Sequence, residues 1–119
     1  MTDTFLKKQV ACIGWDEQDA PSLHRMIAHI KIGDIIYIKT HPADRGLTIK
    51  AIGIVIEDKI TEIKNVGAAC LRVKWVWTGF EHLGSIQDKY NVRNNTLYEE
   101  YNRKVQKRVL ELLLSRLVS

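Results

Sequence analysis

The spacing of apolar residues along the chain predicts a series of short strands. Residues 9–14 form the first apolar run, and a polar segment follows it. Residues 34–40 and 47–56 are rich in β-branched side chains, which favour a pleated, half-buried surface. A glycine–aspartate turn begins the first of these two strands, and the polar loop 41–46 connects them. These segments predict the wall of a small β-barrel.

A further strand is predicted over residues 71–77, where apolar and polar residues alternate. Arg72 and Lys74 occupy one face of this strand. The other face carries four large apolar residues, Leu71, Val73, Trp75 and Trp77. Turn-forming residues predict breaks in the chain at 57–59, 65–67 and 78–82. A short extra strand, 60–63, is expected between the first two of these breaks.

A short amphipathic helix is predicted before the strand at 34–40. Pro21 suits the first turn of a helix, and Asp19 or Ala20 then stands at the cap position. The apolar residues that follow recur at the spacing of one helix face, Leu23, Met26, Ile27 and Ile30. Gly33 ends this helix.

A long helix is predicted near the end of the sequence. Thr96 and Glu99 form the Thr-x-x-Glu pattern of a capping box. An apolar stripe follows at helical spacing, Tyr101, Val105, Val109 and Leu112. Four further leucines fall outside that stripe, Leu110, Leu113, Leu114 and Leu117. A helix that is apolar on nearly every side is normally covered on every side, so this one either packs deep against the barrel or meets a second copy.

Composition is typical of one globular domain, 1–119. Of the 119 residues, 45% are hydrophobic and 27% are charged. No apolar run reaches the roughly 18 residues that span a bilayer, and the first residues lack the order of a signal peptide. Cys12 and Cys70 lie in strand-like runs, where we expect buried free thiols rather than a disulfide. These features predict a cytoplasmic protein with no membrane contact.

Positive charge is concentrated in the second half of the chain. The formal net charge is +4 at pH 7, and the isoelectric point is about 9.1. Residues 1–60 carry 8 basic and 8 acidic side chains, whereas residues 61–119 carry 10 basic and 6 acidic ones. This balance permits a polyanionic partner such as DNA or RNA without requiring one.

Several short motifs, taken in order, resemble those of the PUA-like superfamily. They are Ile13-Gly14-Trp15, Gly33-Asp34 at a strand start, Ile52-Gly53-Ile54-Val55, Arg72-Val73-Lys74-Trp75 and the Thr-capped final helix. The resemblance is to EVE-type domains, including the reader domains of modification-dependent restriction systems. It implies an α+β fold with a small mixed β-barrel of about five to six strands. A short N-terminal helix and a long C-terminal helix would flank this barrel.

The resemblance also implies a site for nucleic acid. Such domains bind RNA, or DNA with a modified base flipped from the stack, which needs an aromatic face and a few polar groups. The residues at the matching positions are Trp15, Asp16, Thr40, His41 and Trp77, to which Arg45 adds a cation in the same loop. Trp15 and Trp77 each have a second interpretation, packing in the core. Five basic residues are candidates for phosphate contacts, Arg72, Lys74, Lys104, Lys107 and Arg108.

Catalysis is not expected from this sequence. Asp44 with Glu57 and Lys59 superficially matches a nuclease pattern, but the intervening strand separates the carboxylates by about 30–40 Å. That chemistry needs both carboxylates on one metal. His24 and His29 lie about 140° apart around a helix and cannot share a metal. We therefore expect no catalytic residue, no cofactor and no metal site.

Two further functions compete with nucleic-acid binding. One is an interaction module, in which the apolar end of the last helix docks on a second copy or on a separately encoded effector. Leu110, Leu114 and Leu117 motivate this alternative. The other is a sensor for a small nucleotide, which differs from a nucleic-acid reader only in the closure of its pocket.

Overall fold

The computed structural model describes residues 2–14, 18–40, 46–84 and 99–118. They contain the helices α1 (Thr2–Lys8), α2 (Pro21–Ala28) and α3 (Arg103–Leu117) and the strands β1 (Val10–Ile13), β2 (Ile35–Thr40), β3 (Leu47–Ile63) and β4 (Gly67–Gly84). The strands form one sheet in the order β1-β4-β3-β2. The predicted α+β class is therefore confirmed. The described residues hold four strands, fewer than predicted, and an additional helix, α1.

The chain forms two structural units, and each contains part of β3 and part of β4. The first unit comprises Met1–Ile35 and Ile54–Lys74, and the second comprises Ile36–Gly53 and Trp75–Ser119. Buried apolar residues of the first unit come mainly from β1 and β4, including Val10, Ile13, Ala69, Leu71 and Val73. Those of the second unit come mainly from β3 and α3, including Leu47, Ile49, Ile52, Val105 and Val109.

Strands β3 and β4 are longer than the sequence predicts. Asn65 has φ 67°, in the left-handed region that asparagine tolerates, and it confirms the predicted turn after β3. The predicted turn at 57–59 and the predicted loop at 78–82 are wrong, because both segments lie within the long strands. Pairing with the neighbouring strand outweighs the weak strand preference of the charged residues and the glycine there.

Helix α2 begins where the sequence predicts but ends at Ala28, so Ile30 of the predicted stripe lies beyond it and Gly33 is not its end. Pro21 stands in the first turn, where its missing N–H would have no partner within the helix. Ala20 is the N-cap, so its side chain supplies no capping bond. Ile27 is the buried residue of the stripe, which shows that α2 packs by its predicted face.

Helix α3 begins later than predicted. Its N-cap is Asn102, whose Oδ1 accepts hydrogen bonds from the N–H groups of Lys104 (2.9 Å) and Val105 (3.2 Å). The predicted capping box is wrong, since Glu99 precedes the helix; Thr96 lies outside the described residues. Tyr101 also precedes the helix and is exposed, contrary to its predicted place in the core stripe. The buried face consists of Val105, Val109, Leu112 and Leu113.

A carboxylate connects β2 to the start of α3 in the second unit. The Tyr37 hydroxyl donates a hydrogen bond to Oε1 of Glu100. The other oxygen of Glu100, Oε2, accepts from the N–H of Asn102 at 3.1 Å. Because Asn102 caps α3, these bonds fix the position at which the helix begins.

Cys12 and Cys70 form a disulfide bond, so the prediction of free thiols is wrong. The two residues are directly opposed in the antiparallel β1–β4 ladder, with their Cα atoms 4.1 Å apart. Their separation of 58 residues corresponds to about 4 kcal/mol of stabilisation in the chain-entropy account. Free thiols were the basis for predicting a reducing cytoplasm, and the disulfide removes that basis. Within the described ranges, no helix is long and apolar enough to cross a membrane.

Gly67 allows β1 to approach β4 closely beside the disulfide. A Cβ atom at this position would lie 2.5 Å from Cβ of Cys12 and 2.9 Å from the carbonyl oxygen of Ile13. Neither atom is the end of a flexible side chain, so the backbone would have to move.

We expect the substitution Gly67→Ala to lower the free energy of unfolding by about 1–3 kcal/mol, because it overpacks this contact. Denaturant unfolding of the oxidised protein measures the change. Gly14→Ala is the control, since a Cβ at Gly14 meets nothing within 4 Å. Equal stability of the two variants would contradict the close approach of β1 to β4.

Candidate nucleic-acid interface

The residues predicted to surround a base are only partly described. Four of them lie outside the described residues, Trp15, Asp16, His41 and Arg45. Thr40 is the last residue of β2 and is partly exposed. Trp77 lies in β4. The described residues therefore place two members of the predicted set, one on each of two strands.

Trp77 is packed in the core rather than offered to solvent. Only 8% of its surface is exposed. Its ring lies over the backbone of Gly79, where an added Cβ would be 3.0 Å from Cζ2 of the indole. Of the two interpretations of Trp77, the structure agrees with core packing. Trp75, on the same predicted apolar face, is partly exposed.

The extension of β4 beyond Trp77 brings a different aromatic residue to the surface. Side chains alternate between the two faces of a strand, and Phe80 and His82 are both exposed. Glu81 lies between them and contacts Arg108 of α3 at 2.8 Å. Helix α3 therefore lies on the Glu81 side of β4, and Phe80 points to the opposite side.

Phe80 of β4 lies beside a cation of the neighbouring strand β3, the ammonium group of Lys50. Its surface is 70% exposed, and Nζ of Lys50 lies 6.0 Å from the centroid of its ring. This distance is at the outer limit of a cation–π interaction, which is worth about 0.5–1 kcal/mol at exposed sites. The exposed ring and the ammonium group of the partly exposed Lys50 thus place an apolar and a positively charged group side by side.

A buried hydroxyl orients the neighbouring histidine. Oγ1 of Thr48 and Nδ1 of His82 are 2.7 Å apart and share a hydrogen bond. Thr48 is fully buried, so the bond anchors the exposed imidazole to the interior. We call Lys50, Phe80 and His82 the aromatic–basic patch.

The predicted phosphate-contacting residues belong to both units. Arg72 and Lys74 are exposed on β4 in the first unit, and Lys104 and Lys107 are exposed on α3 in the second. Arg108 differs, because it is bonded to Glu81, and this hydrogen bond raises the pKa of its guanidinium. Its charge is therefore already compensated by a carboxylate.

Phe80 and Lys50 were not among the residues predicted from the sequence. Glycine and threonine after Trp77 indicated a loop, and a loop carries no alternation from which to predict exposure. The signal was nevertheless present, since Phe80 and His82 continue the polar face begun by Arg72 and Lys74.

The chemistry of the patch is the basis for interpreting it. Comparisons of the chain with protein-family models, with curated proteins and with solved structures found no match. In the part of the chain that the structure describes, no group of three or more His, Cys, Asp or Glu side chains is placed to hold a metal ion. A ring, an ammonium group and an imidazole on a strand surface are suited to binding planar, anionic molecules.

The two aromatic residues of β4 should differ sharply in their contribution to stability. Trp77→Ala is expected to lower the free energy of unfolding by about 3–5 kcal/mol, because it empties a core position. Phe80→Ala should change it by about 0.5 kcal/mol or less, as is usual for surface substitutions. Denaturant unfolding of both variants measures this, and comparable losses would show that Phe80 is also part of the core.

Proposed function

We propose that the protein is a non-catalytic module that binds unstacked bases of nucleic acid through the aromatic–basic patch. The observation that carries the proposal is the exposed Phe80 ring with Nζ of Lys50 6.0 Å from its centroid. Stacking of one base on an aromatic ring contributes about 1–3 kcal/mol to binding, whichever base it is. The adjacent ammonium group supplies attraction to phosphate.

The position of the ring on a sheet surface favours single-stranded over duplex nucleic acid. Exposed aromatic residues on strands bind bases that are already unstacked, whereas a duplex offers only its backbone and base edges. A base flipped out of a duplex meets the same requirement. The proposal therefore includes RNA, single-stranded DNA and DNA with a flipped or modified base.

The overall charge supports the same conclusion. The net charge is +4, and the excess of basic residues lies in the second half of the chain. Such a balance raises the rate and strength of association with polyanions at low salt. Lys50 is the cation that we place beside the base, because its Nζ lies 6.0 Å from the centroid of the Phe80 ring.

We expect Phe80→Ala to weaken binding of a fluorescein-labelled single-stranded oligonucleotide by about 5- to 150-fold, the equivalent of one stacked base. Lys50→Gln should lower the slope of log K against log salt by about 1, because one phosphate contact is lost. Fluorescence anisotropy at several salt concentrations measures both effects, with the matched duplex as a competitor.

Lys104→Gln is the matched control, because it removes an exposed positive charge from α3 and leaves the patch intact. Weaker binding by this variant together with unchanged binding by Phe80→Ala would place the nucleic acid on α3. Equal affinity of the wild type for duplex and single strands would contradict the requirement for unstacked bases.

Self-association through α3 is a second candidate function, favoured by one observation. Leu110, Leu114 and Leu117 are 45%, 53% and 52% exposed and recur at the spacing of one helix face. Leucines exposed in a row on a helix are typical of a surface that contacts another protein. One helix offers less than the roughly 800 Å² that each partner of a stable complex buries. We therefore expect a weak dimer.

If α3 mediates this contact, Leu114→Glu should shift the protein towards the monomer, because it places a carboxylate in an apolar interface. Sedimentation equilibrium over a range of concentrations measures the dissociation constant. Ser115→Glu adds the same charge to a neighbouring exposed position and should leave association unchanged. A wild type that stays monomeric throughout the range would exclude this candidate.

A further inference from the structure

The disulfide connects β1 to β4 within the first unit. Strand β1 has four residues and stands at the end of the strand order, so β4 is its neighbour in the described sheet. Helix α1 contributes no buried residue. The contacts between residues 9–13 and β4 include a four-residue ladder, the hydrogen bond between Gln9 and Val73, and the Cys12–Cys70 bond, and Val10 and Ile13 of β1 are buried.

The two cysteine residues differ in their access to solvent. Cys12 is partly exposed on the edge strand, whereas Cys70 is buried in β4. A thiolate reductant must approach one sulfur directly. We take Sγ of Cys12 as the point of attack, because Cys12 is the more exposed of the two residues.

We propose that the Cys12–Cys70 bond is a redox-sensitive switch that controls attachment of β1 to β4. A thiolate of an external dithiol attacks Sγ of Cys12, the bond between the two cysteines breaks, and Cys70 leaves as a thiolate that takes up a proton. The second thiol of the reductant then displaces Cys12 as a thiol. The protein disulfide gains two electrons and two protons, and the dithiol becomes a disulfide.

The geometry of the ladder identifies the amides that report on this attachment. The 4.1 Å Cα spacing of Cys12 and Cys70 is that of a non-hydrogen-bonded pair. The flanking pairs, Ala11–Leu71 and Ile13–Ala69, therefore exchange both of their backbone hydrogen bonds. The bond from the N–H of Val73 to the carbonyl of Gln9, at 3.0 Å, fits the same alternation.

Successive amides of β4 consequently report on different neighbours. The N–H groups of Ala69 and Leu71 point to β1, whereas the N–H of Arg72, the residue after Leu71, points to the other side of the strand, where β3 lies. Release of β1 alone would expose the N–H groups of Ala69 and Leu71 and leave that of Arg72 protected from exchange. Global unfolding would expose all three N–H groups together.

The test compares amide hydrogen exchange of the ¹⁵N-labelled wild type before and after treatment with dithiothreitol. We expect exchange at Ala69 and Leu71 to become roughly tenfold faster or more on reduction, with exchange at Arg72 unchanged. Reoxidation should restore the original rates. This comparison uses the unaltered chain and does not depend on the folding of a variant.

The double variant Cys12→Ser with Cys70→Ser provides the control, since it should show the reduced pattern with or without dithiothreitol. Equal acceleration at Ala69 and Arg72 would overturn the proposal, because the bond would then stabilise the unit as a whole. Unchanged exchange after confirmed reduction would also overturn it. So would a disulfide that dithiothreitol fails to reduce in the folded protein.

Discussion

The side chains of β4 point alternately to the two faces of the sheet, and the interpretation of the whole chain depends on this alternation. Leu71, Val73 and Trp77 fall on the buried face, whereas Phe80 and His82 fall on the exposed one. A shift of one residue in the pairing of a strand reverses every side chain. Such a shift would expose Trp77 and bury Phe80.

This alternation decides which aromatic residue can meet a ligand. Trp77 stabilises the second unit because it is buried against Gly79, and the same burial removes it from a binding surface. Phe80 contributes little to packing and is therefore available for stacking. The charges follow the same division, since Arg108 is paired with Glu81 on the covered side and Lys50 lies beside the exposed ring.

Local patterns predicted those elements whose signals lie close together in the sequence. Pro21 and the apolar spacing after it predicted α2, and Asn65 predicted the turn after β3. Contacts between distant residues decided the rest. The pairing of Cys12 with Cys70 depends on a register between strands 58 residues apart, which no local pattern contains. Similarly, Thr96 and Asn102 are both residue types that favour the N-cap, so the sequence near α3 does not decide where the helix begins. The bonds from Tyr37 and Asn102 to Glu100 favour the later start of α3.

The central claim is the proposal that Phe80, rather than Trp77, is the aromatic residue on which a base stacks. NMR chemical shifts test this claim most directly. A short single-stranded oligonucleotide is titrated into the protein while the ring protons of Phe80 and the indole N–H of Trp77 are followed. The account predicts upfield shifts at Phe80, caused by the ring current of a stacked base, and an unchanged Trp77 signal. Shifts at Trp77 with a silent Phe80 would contradict it.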